Sequence, residues 1–357
     1  MASPTDVAVI GAGVIGLSCA RELAGAGLNV SVLEAAPAVG RGSSALANGG
    51  IRAQFTTEVN IAFSRFSIVE LETLERTVGG LGLHQTGYLM LAGAEASERG
   101  LREAAELQRR LGVETRWLEP TEIATMVPFV RAEGIRGGTF HPRDGFLDPA
   151  GLVAALLADA RTEDATILTG AGVSAIEPGF VIRHAKGDLR ADAVVNAAGT
   201  AARAVARLVG GDVPVEPVRR NLAHVMDPAG GWIVAYADPD DPPGWDTSVD
   251  PAFLPALAAR LPNRFPSILD LPIDPTHCWA GLYPETPDHH AIVGEDPGVP
   301  GFFHCAGFGG HGLMHAPAAG RAIRELVTGG RSETFDLHPL RPARFIEGDL
   351  VIESAVL

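Results

Sequence analysis

The sequence predicts an α/β protein in two parts, one on a discontinuous parallel sheet and one, α+β, on antiparallel sheet. Three observations predict it. A strand–glycine turn–helix–strand unit opens the chain. Comparable apolar strands running into glycine turns recur near Ala191–Ala197 and Gly301–Ala306. Between them lie short strand candidates and Pro-rich loops without helical periodicity.

Size and charge bound the rest. A chain of 357 residues exceeds what one compact core usually holds. With 46% hydrophobic and 20% charged residues it reads as globular. A formal charge of −15, with no Lys/Arg run, argues against a nucleic-acid partner. No apolar stretch reaches the roughly 18–20 residues that span a bilayer, so no membrane role is expected. The start, MASPTDVAVIGAG, enters a strand without a basic leader, and the chain is expected to be cytoplasmic. Cys19, Cys278 and Cys305 have neither metal-site nor paired spacing, which fits reduced thiols and no metal. Cys19 and Cys305 read as core residues.

In order, Asp6–Ile10 reads as strand, Val14–Ala26 as helix and Asn29–Glu34 as strand. A Gly/Ser/Asn-rich loop, Val39–Gly50, follows and is long for an ordinary connection. Glu58–Val78 reads as a helix with Val59, Phe63, Phe66, Val69, Leu74 and Val78 on one apolar stripe. Gly87–Leu91 and Gly137–Phe140 are strands flanking a charged helix, Ala94–Leu111, and Asp148–Ala160 returns to helix. Val215–Met226 and Trp232–Ala237 look like antiparallel strands, and His311–Val327 closes the pattern as a helix ended by Gly329-Gly330.

Gly11-Ala12-Gly13-Val14-Ile15-Gly16 is GxGxxG between strand and helix, the Rossmann-like pattern. Gly11 permits the turn, Gly13 lets backbone approach a pyrophosphate, and Gly16 allows close helix–strand packing. The helix N-terminus then faces the phosphates. Glu34 ends the second strand, where a carboxylate accepts hydrogen bonds from a ribose diol and repels a 2′-phosphate. These residues alone leave FAD and NAD open and disfavour NADP.

The next segments carry a resemblance. The Arg41–Arg52 stretch, RGSSALANGGIR, resembles the serine- and glycine-rich loop of flavoproteins in the D-amino-acid oxidase superfamily. Val194–Ala201 (VVNAAGTA) and Ala306–Leu313 (AGFGGHGL) resemble two further flavin-side turns of that group. Trp279–Tyr283, Thr286–Gly294 and Phe335–Leu337 with Arg341–Phe345 match it too, so the similarity spans nearly the whole chain. It is greatest to the branch of glycine oxidase, sarcosine oxidase and dimethylglycine/sarcosine dehydrogenases. The resemblance implies a discontinuous FAD-binding domain, residues 1–82, 145–214 and 291–345, and a substrate domain, 83–144 and 215–290. It implies non-covalent FAD held by Gly11, Gly13, Val14, Ile15, Gly16, Glu34, Ala35, Arg41, Ser43, Ser44, Asn48, Gly49, Gly50, Ile51, Val173, Ala197, Ala198, Gly199, Gly281, Gly307, Gly309, Gly310, His311, Gly312 and Leu313.

The reaction so implied is oxidation of the C–N bond of a small amino acid or N-alkyl amino acid. A hydride passes to flavin N5, and the imine hydrolyses. Oxygen or another acceptor takes the electrons. Arg52, His311 and Tyr283 are the catalytic candidates, with Arg52 gripping the substrate carboxylate as a similarly placed Arg does in sarcosine oxidase. His315, His289 and His290 are weighed beside them. This sequence also departs from sarcosine oxidase. Met314 stands where that enzyme has a carboxylate-binding Lys, and an apolar residue near Ile233 replaces its oxygen-reactive Lys. Gly281 replaces its flavin-linking Cys, with Cys278 three residues away. The chain is also shorter between His224 and Trp232 by about a hairpin. The alternatives are a flavin-binding partner subunit with little turnover and an NAD-dependent dehydrogenase.

Overall fold

The computed structural model describes residues 3–227, 230–238, 240–267, 271 and 273–355. Its largest sheet is ordered around the first strand, Ser3–Ile10, which pairs in parallel with Val30–Leu33 on one side and Gly187–Asn196 on the other. Thr166–Leu168 extends the sheet beyond Val30–Leu33, and Phe302–Ala306 extends it beyond Gly187–Asn196, both in parallel. Ile292–Glu295 closes the far edge antiparallel.

Strand periodicity explains why this sheet sits in the middle. Val7 and Val9 point into one apolar cluster with the helices Val14–Gly25, Pro149–Thr162 and Gly312–Gly329. Ala8 and Ile10 point to the other face, where Ile176 and Ile182 of a β-hairpin cover them. Alternation of side chains along a strand makes both faces apolar, as a covered parallel sheet requires. The first and last of these helices cross closely: a Cβ on Gly320 would lie 2.6 Å from the Ser18 carbonyl oxygen.

The antiparallel regions are separate. Tyr88–Ala92 and Arg116–Leu118 flank Gly137–His141, and Glu216–Asp227 lies between Gly230–Tyr236 and Ile273–Glu285. The α/β class with a separate antiparallel part is therefore observed. Glu216–Asp227 and Gly230–Tyr236 pair antiparallel with Asp227 opposite Gly230; residues 228–229, within the stretch expected to be shortened, lie outside the described residues.

The helix Glu58–Thr77 corrects the expected stripe. Val69 and Val78 are exposed, and Ile68 and Leu71 are buried in their place. The buried face also holds Asn60, Ser64 and Ser67, which mixes polar groups into the stripe and shifts the apolar count. Those polar groups find partners near the site, described next.

Candidate active site

The glycine motif is built as its spacing requires. Gly11 takes φ 104°, and a Cβ there would lie 2.5 Å from the Ala197 carbonyl oxygen. A Cβ on Gly16 would lie 1.9 Å from the Gly11 carbonyl oxygen, so any side chain would separate turn from helix. Ser44 Oγ accepts from the Val14 amide at 3.2 Å, which brings the serine–glycine loop against the helix start. Glu34 receives the Ala12 amide on Oε2 at 2.7 Å and the Ala36 amide on Oε1 at 2.8 Å. Each oxygen keeps a second lone pair, so the carboxylate is fixed yet still able to accept.

These elements wall a cavity of about 470 Å³ that runs from Glu34 and Val173 to Tyr283 and Gly310. Its volume lies within the ~300–1,000 Å³ usual for cofactor pockets. Ala35, Ser43, Asn48, Ala198, Gly281 and Leu313 also border it, and so do the remaining glycines expected there. Four expected residues do not. Gly16 and Ile51 are packed behind the wall, Arg41 points to solvent, and the His311 ring is turned away. The donors, the acceptor Glu34 and the wall of small residues fit a flavin dinucleotide. Cys278 is not part of this wall, and Gly281 is.

Arg52 departs furthest from expectation. It is 1% exposed and absent from the cavity wall. One terminal nitrogen donates to the Gln54 carbonyl at 2.6 Å. The other donates to the Ala355 carbonyl and to His311 Nε2, the latter at 3.3 Å. The guanidinium also stacks over Phe55, 4.1 Å from the ring centroid. Both terminal nitrogens are spent on main chain and His311, Nε is buried without a hydrogen-bond partner, and the side chain lies outside the cavity wall, so the expected grip on a substrate carboxylate is not what the geometry shows. His311 must accept from Arg52 and is therefore neutral; burial, aided by Arg52, holds its pKa well below the usual histidine value.

The chain end holds this cluster in place. Glu353 is fully buried and accepts from the Thr56 amide (3.0 Å), Thr57 Oγ1 (2.8 Å) and Asn60 Nδ2 (3.1 Å). It also accepts from the Thr56 hydroxyl. A carboxylate there caps the start of the Glu58–Thr77 helix from a distant segment. His315 is neither in the cavity nor on a helix surface: it bonds Ser64 Oγ at 2.8 Å, with its pKa pushed down to about 3 by burial. His290 bonds Thr57 Oγ1 at 2.9 Å, whereas His289 sits 3.2 Å from Glu285.

Asp288 and Arg344, from two stretches that carried the resemblance, form a buried ion pair at 2.7 and 3.1 Å. They brace the turn behind Gly307, where a Cβ would lie 2.6 Å from Thr286. Asp144 is another buried carboxyl. It accepts from the Ala53 amide and Gln54 Nε2, and desolvation pushes its pKa up to about 7.

Two residues the sequence did not single out lie near the Tyr283 end, Arg220 in the wall and Tyr88 outside it. The Tyr88 hydroxyl stands over Gly50, 2.3 Å from where a Cβ would be. Arg220 borders the cavity, its guanidinium carbon 5.4 Å from the Tyr283 ring centroid. Strand alternation puts Arg220 on the face of Leu222 and Gly281, but the Arg219-Arg220 pair alone does not say which arginine faces in. Arg219 faces out, held by Asp241, Asp246 and Asp250. Glu353 carries no sequence signal.

Residues 6–326 match the family model described as FAD dependent oxidoreductase. The chain belongs to that family. As a family member it is an FAD-dependent enzyme. It is 28% identical to glycine oxidase of Geobacillus kaustophilus over 96% of this chain and 97% of that protein. It is 27% identical to FAD-dependent oxidoreductase domain-containing protein 1 of Bos taurus, over 99% and 87%. Among solved structures, L-proline dehydrogenase from P. horikoshii superimposes with TM-score 0.92 at 26% identity, over 98% of this chain and all of that one. Among the described residues, no helix is long and apolar enough to cross a membrane.

Proposed function

We propose that this enzyme oxidises the C–N bond of a small amino acid or N-alkyl amino acid, with FAD held non-covalently. One observation carries the reading. Among the described residues, the titratable residues of the cavity wall near Gly281 and Gly310 are Arg220, Tyr283 and Cys305, whose thiol pKa burial pushes up, with no carboxylate or imidazole. An amine reacts through its neutral lone pair and needs no strong base; its carboxylate needs holding. Glycine oxidase and L-proline dehydrogenase, which this chain resembles, are named for such substrates.

On this reading Glu34 and the 11–16 turn hold the dinucleotide, and Gly281 leaves no thiol to link the ring. The bound FAD supplies the two-electron acceptor for the hydride on the carbon bearing the amine. Tyr283 orients the substrate. His311 and Arg52 act from behind as positioning residues that keep the 307–312 turn in place. Residues 1–82, 145–214 and 291–345 form the cofactor domain, and 83–144 and 215–290 the substrate domain. The enzyme is placed in the cytoplasm, with oxygen or another acceptor reoxidising it.

The test is an anaerobic screen of amino acids and N-methyl amino acids against the yellow holoprotein. Bleaching by at least one, and release of all flavin into the supernatant on acid precipitation, is expected. A holoprotein that dithionite bleaches and no amine does would leave the flavin-binding partner-subunit reading.

A further inference from the structure

Arg52 stands outside the cavity wall with both terminal nitrogens engaged, so an anionic ligand in the cavity would need another cation. We propose that Arg220 is the residue that binds the substrate carboxylate; this rests on the amino-acid reading above. Among the described residues bordering the cavity it is the one carrying a positive charge. Its own bonding is incomplete. Nε is buried without a hydrogen-bond partner, and one terminal nitrogen donates to the Arg219 carbonyl at 3.0 Å. The other is 3.6 Å from Glu285 Oε1, beyond hydrogen-bond range.

A buried, unsatisfied guanidinium nitrogen costs free energy, and an incoming carboxylate that meets it would recover that cost. Glu285 does not cancel the charge alone, because it is shared with His289, 3.2 Å away. Hydrogen bonding to Glu285 raises the His289 pKa. His289 also takes a left-handed φ of 57°, which presents its ring to Glu285. Glu285 is thus divided between Arg220 and His289, and the Arg220 fork is left open. The Tyr283 ring lies under the guanidinium, and its hydroxyl-bearing edge packs on Gly310, where a Cβ would stand 2.5 Å from Cε2 and 3.0 Å from the hydroxyl. The two side chains come from neighbouring strands, at positions 220 and 283 on one face of the Glu216–Asp227/Ile273–Glu285 pair. A small carboxylate between them would meet a charged donor and a hydroxyl at once.

The experiment titrates holoenzyme with propionate and with propionamide as the neutral control, reading the flavin absorbance. Wild type is expected to prefer propionate by about tenfold or more, the ratio a charge-assisted hydrogen bond supplies. Arg220→Gln should remove that preference, and Arg220→Lys should restore part of it, since an ammonium lacks the fork. With an amino acid that bleaches wild type, Arg220→Gln should raise KM more than it lowers kcat. Flavin content and reduction potential should stay unchanged. Equal binding of propionate and propionamide by wild type would overturn the proposal, and so would an unchanged propionate affinity in Arg220→Gln. A shifted potential with intact propionate binding would place Arg220 at the cofactor and also overturn it. Failure of the amine screen is a separate result. Charge-dependent propionate binding through Arg220 would then survive while the substrate class would not.

Discussion

The two ends of the cavity are built on different principles. At the Glu34 end the wall is mostly main chain and small side chains from the 11–15 turn, the end of the second strand and the 43–50 loop, joined by Gly172 and Val173 from farther along the chain. Its one charged group, Glu34, is fixed by two amides, one of them only two residues away. At the Tyr283 end the wall depends on side chains brought from remote segments. Behind it stands a buried polar cluster, Arg52, His311, Asp288, Arg344 and Glu353, tied together by bonds between distant segments as well as by local ones. The difference teaches that the first end is limited mainly by side chains it cannot admit, whereas the second is limited by side chains it must keep.

The largest expected effect tests the second end. Arg344→Met leaves Asp288 charged and buried without its partner, which should cost ~3–5 kcal/mol in urea unfolding. Asp288→Asn added to it should recover part, since no uncompensated charge remains. If the single variant loses FAD in step with stability, the two ends are one cooperative unit and the contrast fails.

Glu34→Ala tests the first end. It should weaken FAD by ~1.5–3 kcal/mol, roughly ten- to a hundredfold in dissociation constant. The FAD-free protein should lose stability as well, because the amide of the fully buried Ala12 is left without its acceptor. An unchanged FAD affinity would reduce Glu34 to a brace for the turn.

The smallest effect is a pH dependence. The Asp144 carboxyl has its folded pKa pushed up to about 7, from 3.8, by desolvation. Between those values the folded protein keeps a proton that the unfolded chain releases, so this group makes stability fall as pH rises, levelling above about 7. Asp144→Asn removes that slope. The gap between wild type and variant in urea midpoint should therefore move in the variant's favour from pH 5 to pH 8. A pH-independent gap would mean Asp144 ionises freely inside the fold.

The sequence alone determined the parallel-sheet class and the Glu34 end. Gly11, Gly13, Gly16 and Glu34 act through local geometry, and local geometry is written in spacing: a turn that excludes Cβ atoms needs glycine at fixed intervals. Resemblance added the family and the glycine turn at 307–312, but it placed Arg52 and His311 at the cavity. Only the tertiary structure decided otherwise. Arg52 lies two residues past a wall-forming loop, and its direction is settled by Ala355, more than three hundred residues away. Glu353 could not be read as a helix cap, because its helix starts near the other end of the chain. Arg219 and Arg220 are identical in type, and which one faces the cavity follows from strand register with Gly281 and Leu282. Backbone conformation is a short-range property that a sequence spells out. The destination of a long charged side chain is set by whichever distant donor or acceptor the completed fold puts within 3 Å, and that belongs to the tertiary structure.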